Sequence, residues 1–317
     1  MRLLPLALLV ALAPTLGAQR TVASRPVQSK LAQSRPAVPK ALQRVAVIGA
    51  SLSDGFGATP LSRLLNKAIA GKAGRQPVAR LASSMFFARP LVGGRQQIDR
   101  AIKREATLVV GADYLFWYAY GFPGGIRQRA GKAVELRTTD RAGRDLAIRG
   151  WQLAQGLAEL ERLDVRVVIG DLPDMTGAHP MMLKPAQIPS RATLDKLNER
   201  IRAWAAPRKN VLLLPMAEWM TQLRAGKLSL PNRKGGGEPI RLSAEKMMSW
   251  DRLHPTKLGT VVFCSLLVDK LRSWVGQPIA DSLHFDTWRI LDDSALATEL
   301  EEPSKRLSTR PARKSRK

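Results

Sequence analysis

Five short apolar runs, at 45–48, 78–82, 114–120, 165–169 and 211–214, alternate with stretches whose large aliphatic residues recur at helical spacing. Strands this short and this apolar are buried on both faces, and the helices between them supply the cover. The pattern therefore predicts an α/β fold built on a mostly parallel, five-stranded sheet. Helical stripes include Leu61, Leu64, Leu65 and Ile69 after the first run, a helix near 95–104, Leu153, Leu157 and Leu160 before the fourth, and Leu194, Leu197, Ile201 and Trp204 before the fifth. A last core helix is expected from Pro255 to about Trp274, with proline suited to the first helical position. Segments 131–144 and 227–238, polar or glycine-rich, read as surface excursions. In a parallel sheet the site forms outside the C-terminal ends of the strands. By this reading Ser51, Ser83, Gly121 and Asp171 all fall there.

The flanks differ in kind from this core. Residues 1–18 carry Arg2, an apolar run and the small pair Gly17 and Ala18, the pattern of a secretory signal peptide cut after Ala18. Export to the periplasm or the extracellular space follows as an expectation. Segment 19–44 is rich in Ser, Pro, Gln and Arg without periodicity and reads as a disordered basic linker. The folded domain is expected over 45–275, followed by a C-terminal accessory segment at 276–302 and a basic disordered tail at 303–317.

The net charge of +25 would suggest a nucleic-acid partner if it lay on the domain. Fourteen of the 51 Lys and Arg residues lie in 1–44 and 303–317, which contain no acid, so 45–302 retains +11. No specific nucleic-acid partner is expected. Lys305, Arg306, Arg310, Arg313, Lys314, Arg316 and Lys317 instead suit a salt-dependent hold on an acidic surface. The single cysteine, Cys264, sits in an apolar run and reads as an inert buried thiol. With three scattered histidines there is no ligand cluster, so neither a metal nor an organic cofactor is expected.

The first run ends in Gly49-Ala50-Ser51-Leu52-Ser53-Asp54-Gly55, a tight turn that lifts Ser51 off the strand as a candidate nucleophile. A dinucleotide-binding turn is the rival reading, but Gly49, Gly55 and Gly57 do not give the GxGxxG spacing, and the second run ends in Ser83 and Ser84 without an acid for a ribose. His254 follows Asp251 by three residues at the entrance to the last helix. A carboxylate at that distance can accept from the imidazole and fix its tautomer, leaving the other ring nitrogen for a serine proton. The same spacing recurs at Asp281 and His284, read as structural, and His179 has no acid three residues ahead of it.

Taken together, GASLSD at 49–54 and DRLHP at 251–255 resemble the first and last blocks of the SGNH or GDSL serine esterases and lipases, with Ala50 where the family has an aspartate. The resemblance spans 44–275. It implies a three-layer α/β/α, flavodoxin-like sheet and a Ser51–His254–Asp251 triad acting on a small-molecule, glycan or lipid ester, in a monomer. It also implies an oxyanion hole completed by a glycine after the second strand and an asparagine in a GxND block after the third. Gly121 aligns with the glycine of that block, but Pro123 then stands at the asparagine. The amides of Ser51, Ser84, Gly121 and Gly124 are the remaining oxyanion candidates. Phe116, Trp117, Tyr118 and Phe122 are candidates for an acyl pocket or for core. The alternative, prompted by Ala50 and Pro123, is a binding module that has lost efficient catalysis.

Overall fold

A computed structural model describes residues 38–71, 74–121, 140–233 and 236–301. Five strands form one all-parallel sheet in the order β2-β1-β3-β4-β5: β1 (Val45–Val47), β2 (Ala79–Arg80), β3 (Leu108–Gly111), β4 (Arg166–Gly170) and β5 (Val211–Leu214). The register is continuous, with Ala46 opposite Ala79 on one side and Val109 on the other, and Val168 opposite Val110 and Leu212. Successive side chains of a strand point to opposite faces, and the core divides accordingly. Val45, Val47, Leu108 and Val110 pack on one side of the sheet, while Ala46, Ile48, Val109, Val167 and Ile169 pack on the other.

The helices are α1 (Ser51–Asp54), α2 (Leu61–Ala68), α3 (Pro90–Lys103), α4 (Phe116–Tyr120), α5 (Arg141–Glu161), α6 (Arg191–Ala205), α7 (Met216–Arg224), α8 (Ala244–Met247), α9 (Lys257–Val275), α10 (Thr287–Asp293) and α11 (Ala297–Glu301). The first core layer takes its side chains from α2, α9 and α10, and the second from α3, α4, α5 and α6. This is the expected three-layer α/β/α arrangement. No described helix is long and apolar enough to cross a membrane.

Three local expectations are corrected. The aromatic run at 114–120 is not the third strand: that strand is Leu108–Gly111, and the aromatics form a turn and helix α4. A run of seven apolar residues satisfies either structure, and packing decides. The Tyr118 side chain lies between α3 and α5, where an added Cβ would come within 1.8 Å of its hydroxyl at Gly94 and 2.9 Å of its ring at Gly156. Within the 227–238 excursion, Ser229–Leu230 (β6) pairs antiparallel with Ile240–Arg241 (β7). Residues 38–44, read with the linker, belong to the fold because Val38 and Leu42 are buried against the first core layer. The expected signal segment, most of the linker and the tail lie outside the described residues.

Candidate active site

The chain leaves β1 through Gly49, whose φ of +122° no L side chain adopts without strain, and Ser51 opens the one-turn helix α1. Two side chains from other elements hold this turn. Gln97 of α3 is buried and clamps Gly49 from both sides, accepting its N–H at 2.7 Å and donating to its carbonyl at 2.9 Å. Asp113, two residues beyond β3, accepts the amides of Ala50 at 3.0 Å, Leu52 at 2.9 Å and Ser53 at 3.4 Å, and the Ser53 hydroxyl at 2.6 Å. A carboxylate at a helix N-terminus takes up amides that the helix leaves unpaired. Burial pushes the Asp113 carboxyl above its ordinary range, and these four donors only partly pull it back.

His254 comes from the other end of the chain. Thr256 caps α9 by accepting the Gly259 amide at 3.0 Å, and Gly259 sits so close to α8 that a Cβ would lie 2.0 Å from the Met247 carbonyl oxygen. The turn before the cap is closed by Asp251, whose Oδ1 accepts the amides of Leu253 at 3.0 Å and His254 at 2.9 Å. Its Oδ2 lies 2.7 Å from His254 Nδ1. Burial pushes the Asp251 carboxyl upward, but the hydrogen bonds from the His254 amide, its ring and the Leu253 amide outweigh it and hold the group below its ordinary range. An ionised Asp251 takes the Nδ1–H and leaves Nε2 as an acceptor, and Nε2 is 3.0 Å from Ser51 Oγ. Both partners of the acid–imidazole pair are buried, and the Phe56 ring covers the imidazole with centroids 4.6 Å apart. The residue types, order and distances are those of a base-activated serine.

The structure thus brings Ser51, His254 and Asp251 together. It does not do so for two of the oxyanion candidates. The Ser84 amide and hydroxyl both donate to Asp54 Oδ2, at 2.9 and 2.7 Å, and Asp54 also accepts Arg80 Nε at 2.7 Å. The Gly121 amide donates to the Trp117 carbonyl at 3.0 Å, and Gly121 closes a helix, not a strand. Gly124 and Phe122 lie outside the described residues. The Ser51 amide, at the N-terminus of α1, has no acceptor among the described residues, so of the sequence-derived oxyanion candidates within them it alone is left to donate. Trp117 and Tyr118 are core, while Phe116 lines a cavity beside Ser51.

With β3 at Leu108–Gly111, the block after it is Gly111-Ala112-Asp113, so an aspartate stands where the resemblance expects an asparagine. An ionised carboxylate only accepts, and here it is occupied by α1. The signal for Asp113 was the short apolar run ending in glycine just ahead of it, which the larger aromatic run masked. Asp171, after β4, plays a parallel part at α7, accepting the Ala217 amide at 2.8 Å. Among the described residues no three His, Cys, Asp or Glu side chains gather to hold a metal.

No protein-family model matches the sequence, and no curated protein matches it. Solved structures similar to the chain include a gut microbial diltiazem-metabolizing enzyme, at 12% identity and TM-score 0.42, covering 72% of this chain and 46% of that one. This chain therefore spans about half of that enzyme's length. They also include a catalytic mutant of Axe2, an acetylxylan esterase from Geobacillus stearothermophilus, at 14% identity and TM-score 0.43, covering 76% of this chain and 99% of that one. TesA is similar at 14% identity and TM-score 0.39, covering 74% and 100%.

Proposed function

We propose that the protein is a serine hydrolase that cleaves carboxylic esters. The observation that carries this reading is the unbroken chain from Asp251 Oδ2 through His254 to Ser51 Oγ, at 2.7 and 3.0 Å, joining residues 203 positions apart. Ser51 Oγ attacks the ester carbonyl as His254 Nε2 takes its proton, and Asp251 steadies the imidazolium that forms. The Ser51 amide, aided by the positive end of α1, faces the developing oxyanion. Collapse expels the alcohol, which takes the proton back from His254. Water, deprotonated by the same imidazole, then releases the acid. Purified protein is expected to hydrolyse p-nitrophenyl esters and to react at Ser51 with a fluorophosphonate, and Ser51→Ala to do neither. Equal hydrolysis by both proteins overturns the assignment.

A second reading has a specific observation behind it. Asp113 spends three amides of the serine turn on a carboxylate whose ionised form has no donor for an oxyanion, as a binding module with a slow or idle serine would tolerate. Failure of Ser51 to label would favour it.

Two features of the flanks complete the proposal. The protein is exported after cleavage at Ala18, which N-terminal sequencing of the mature form tests, an intact Met1 refuting it. The tail at 303–317 holds it to polyanionic surfaces. Its deletion is expected to abolish salt-sensitive binding to anionic vesicles, and unchanged binding would refute this.

A further inference from the structure

Ser51 is one wall of an apolar cavity of about 130 Å³, bounded chiefly by Trp219, Met220 and Leu223 of α7, Met247 of α8, and Phe263 and Leu266 of α9. Trp219, Met220, Phe263 and Leu266 pack against the core yet are only half-buried. Two carboxylates reach the cavity, and both are engaged: Asp113 by the amides of α1, Asp171 by the Ala217 amide. Such a lining offers little for sugar hydroxyls to bond to. It offers methionine and aromatic surface to a hydrocarbon, and an apolar cavity of about 150 Å³ is large enough to take up benzene.

Resting on the esterase reading above, we propose that this cavity receives the acyl group of the ester and selects one of hexanoyl or benzoyl size over acetyl. An acetyl group attached at Ser51 would leave most of the cavity unfilled. Each further methylene buries apolar surface against α7 and α9 until the space is full.

The test is a series of p-nitrophenyl esters from acetate to dodecanoate. Specificity, kcat/KM, is expected to rise about fourfold per methylene as far as hexanoate and then level or fall. Met220→Trp, which fills the cavity, should lower the hexanoate-to-acetate ratio at least tenfold, and Phe263→Ala, which enlarges it, should move the optimum to longer chains. Two variants acting in opposite directions keep a misfolded one from deciding the matter. A flat series, an acetate preference, or an optimum unmoved by both variants overturns the inference while leaving the esterase reading intact. If the wild type hydrolyses no ester, calorimetry of Ser51→Ala with the acetate and hexanoate esters decides: tighter hexanoate binding supports the cavity's role and equal binding overturns it, whereas the esterase reading falls in either case.

Discussion

The Ser53 hydroxyl donates to Asp113 at 2.6 Å, tying the serine turn after β1 to the residue two places beyond β3. Since the same carboxylate accepts three consecutive-turn amides, Ser51 is aimed by a neighbouring strand and not by its own loop alone. Whichever way its side-chain amide is turned, Asp113→Asn would set an NH2 against at least one backbone N–H that can only donate, that of Ala50 on one side or those of Leu52 and Ser53 on the other. Stranding a buried donor costs about 1–3 kcal/mol, so the variant is expected to lose about 2–4 kcal/mol by denaturant unfolding. Its kcat should fall more than its KM changes, because the lost element positions Ser51 and binds no substrate. Full stability and activity in Asp113→Asn would remove Asp113 from this role.

The hydrogen-bonded trio predicts its own pattern of losses. Ser51→Ala and His254→Ala should each lower kcat by about four orders of magnitude or more, and the double variant should be hardly worse than either, since residues that act as one unit are not additive. Asp251→Asn should also lose about 10⁴, because an asparagine at 251 no longer fixes the imidazole tautomer. Independent, multiplying losses in the double variant would show that Ser51 and His254 do not act together.

What the sequence revealed follows the range of the interactions involved. Asp251 and His254 were readable because three residues and a helix start suffice to pair them, and Ser51 because an apolar strand runs straight into its turn. Ser84 and Gly121 were misassigned as donors for different reasons: the acceptor of Ser84 is Asp54, 30 positions away on α1, and the acceptor of Gly121 is the Trp117 carbonyl, a helical bond hidden when 114–120 is read as a strand. Asp113 was invisible for the first of these reasons, since its partners stand 60 or more positions away. Helix α7, which follows β5 after Pro215 alone, was missed with the cavity wall it forms.

Two glycines of the serine turn separate strain from collision. A Cβ at Gly49 would lie 2.2 Å from Asp113 Oδ1 on a backbone at φ +122°, whereas one at Gly57, at φ +69°, meets nothing within 4 Å. Gly57→Ala is therefore expected to cost only the left-handed strain, about 1–2 kcal/mol, and to keep Ser51 reactive. Gly49→Ala should displace Asp113 and abolish fluorophosphonate labelling. Equal labelling in the two variants would mean that the contact between Gly49 and Asp113 does not shape the site.

Acid should act on the site from two directions. Burial pushes Asp54 upward, but Arg80 and Ser84 outweigh it and hold the carboxyl below its ordinary value, as their counterparts do for Asp251. A group lowered in the folded state binds more protons when unfolded, so its stabilisation is complete above about pH 3.8 and is lost as pH falls through the folded value. Asp113, raised by burial, runs the other way: its contribution is complete below 3.8 and is lost as pH rises through its folded value. Asp54→Asn should therefore be less stable than the wild type at pH 7, with the two converging as pH falls below about 3.8. Asp113→Asn should diverge further from the wild type at higher pH, as pH falls through the raised folded value of Asp113 toward about 3.8, because it lacks the stability that a protonated Asp113 restores. Chemical denaturation at each pH measures both gaps. A wild-type gap to Asp54→Asn that stays constant down to pH 2 would show that the Asp54 charge does not hold Ser84 and Arg80 to the serine turn.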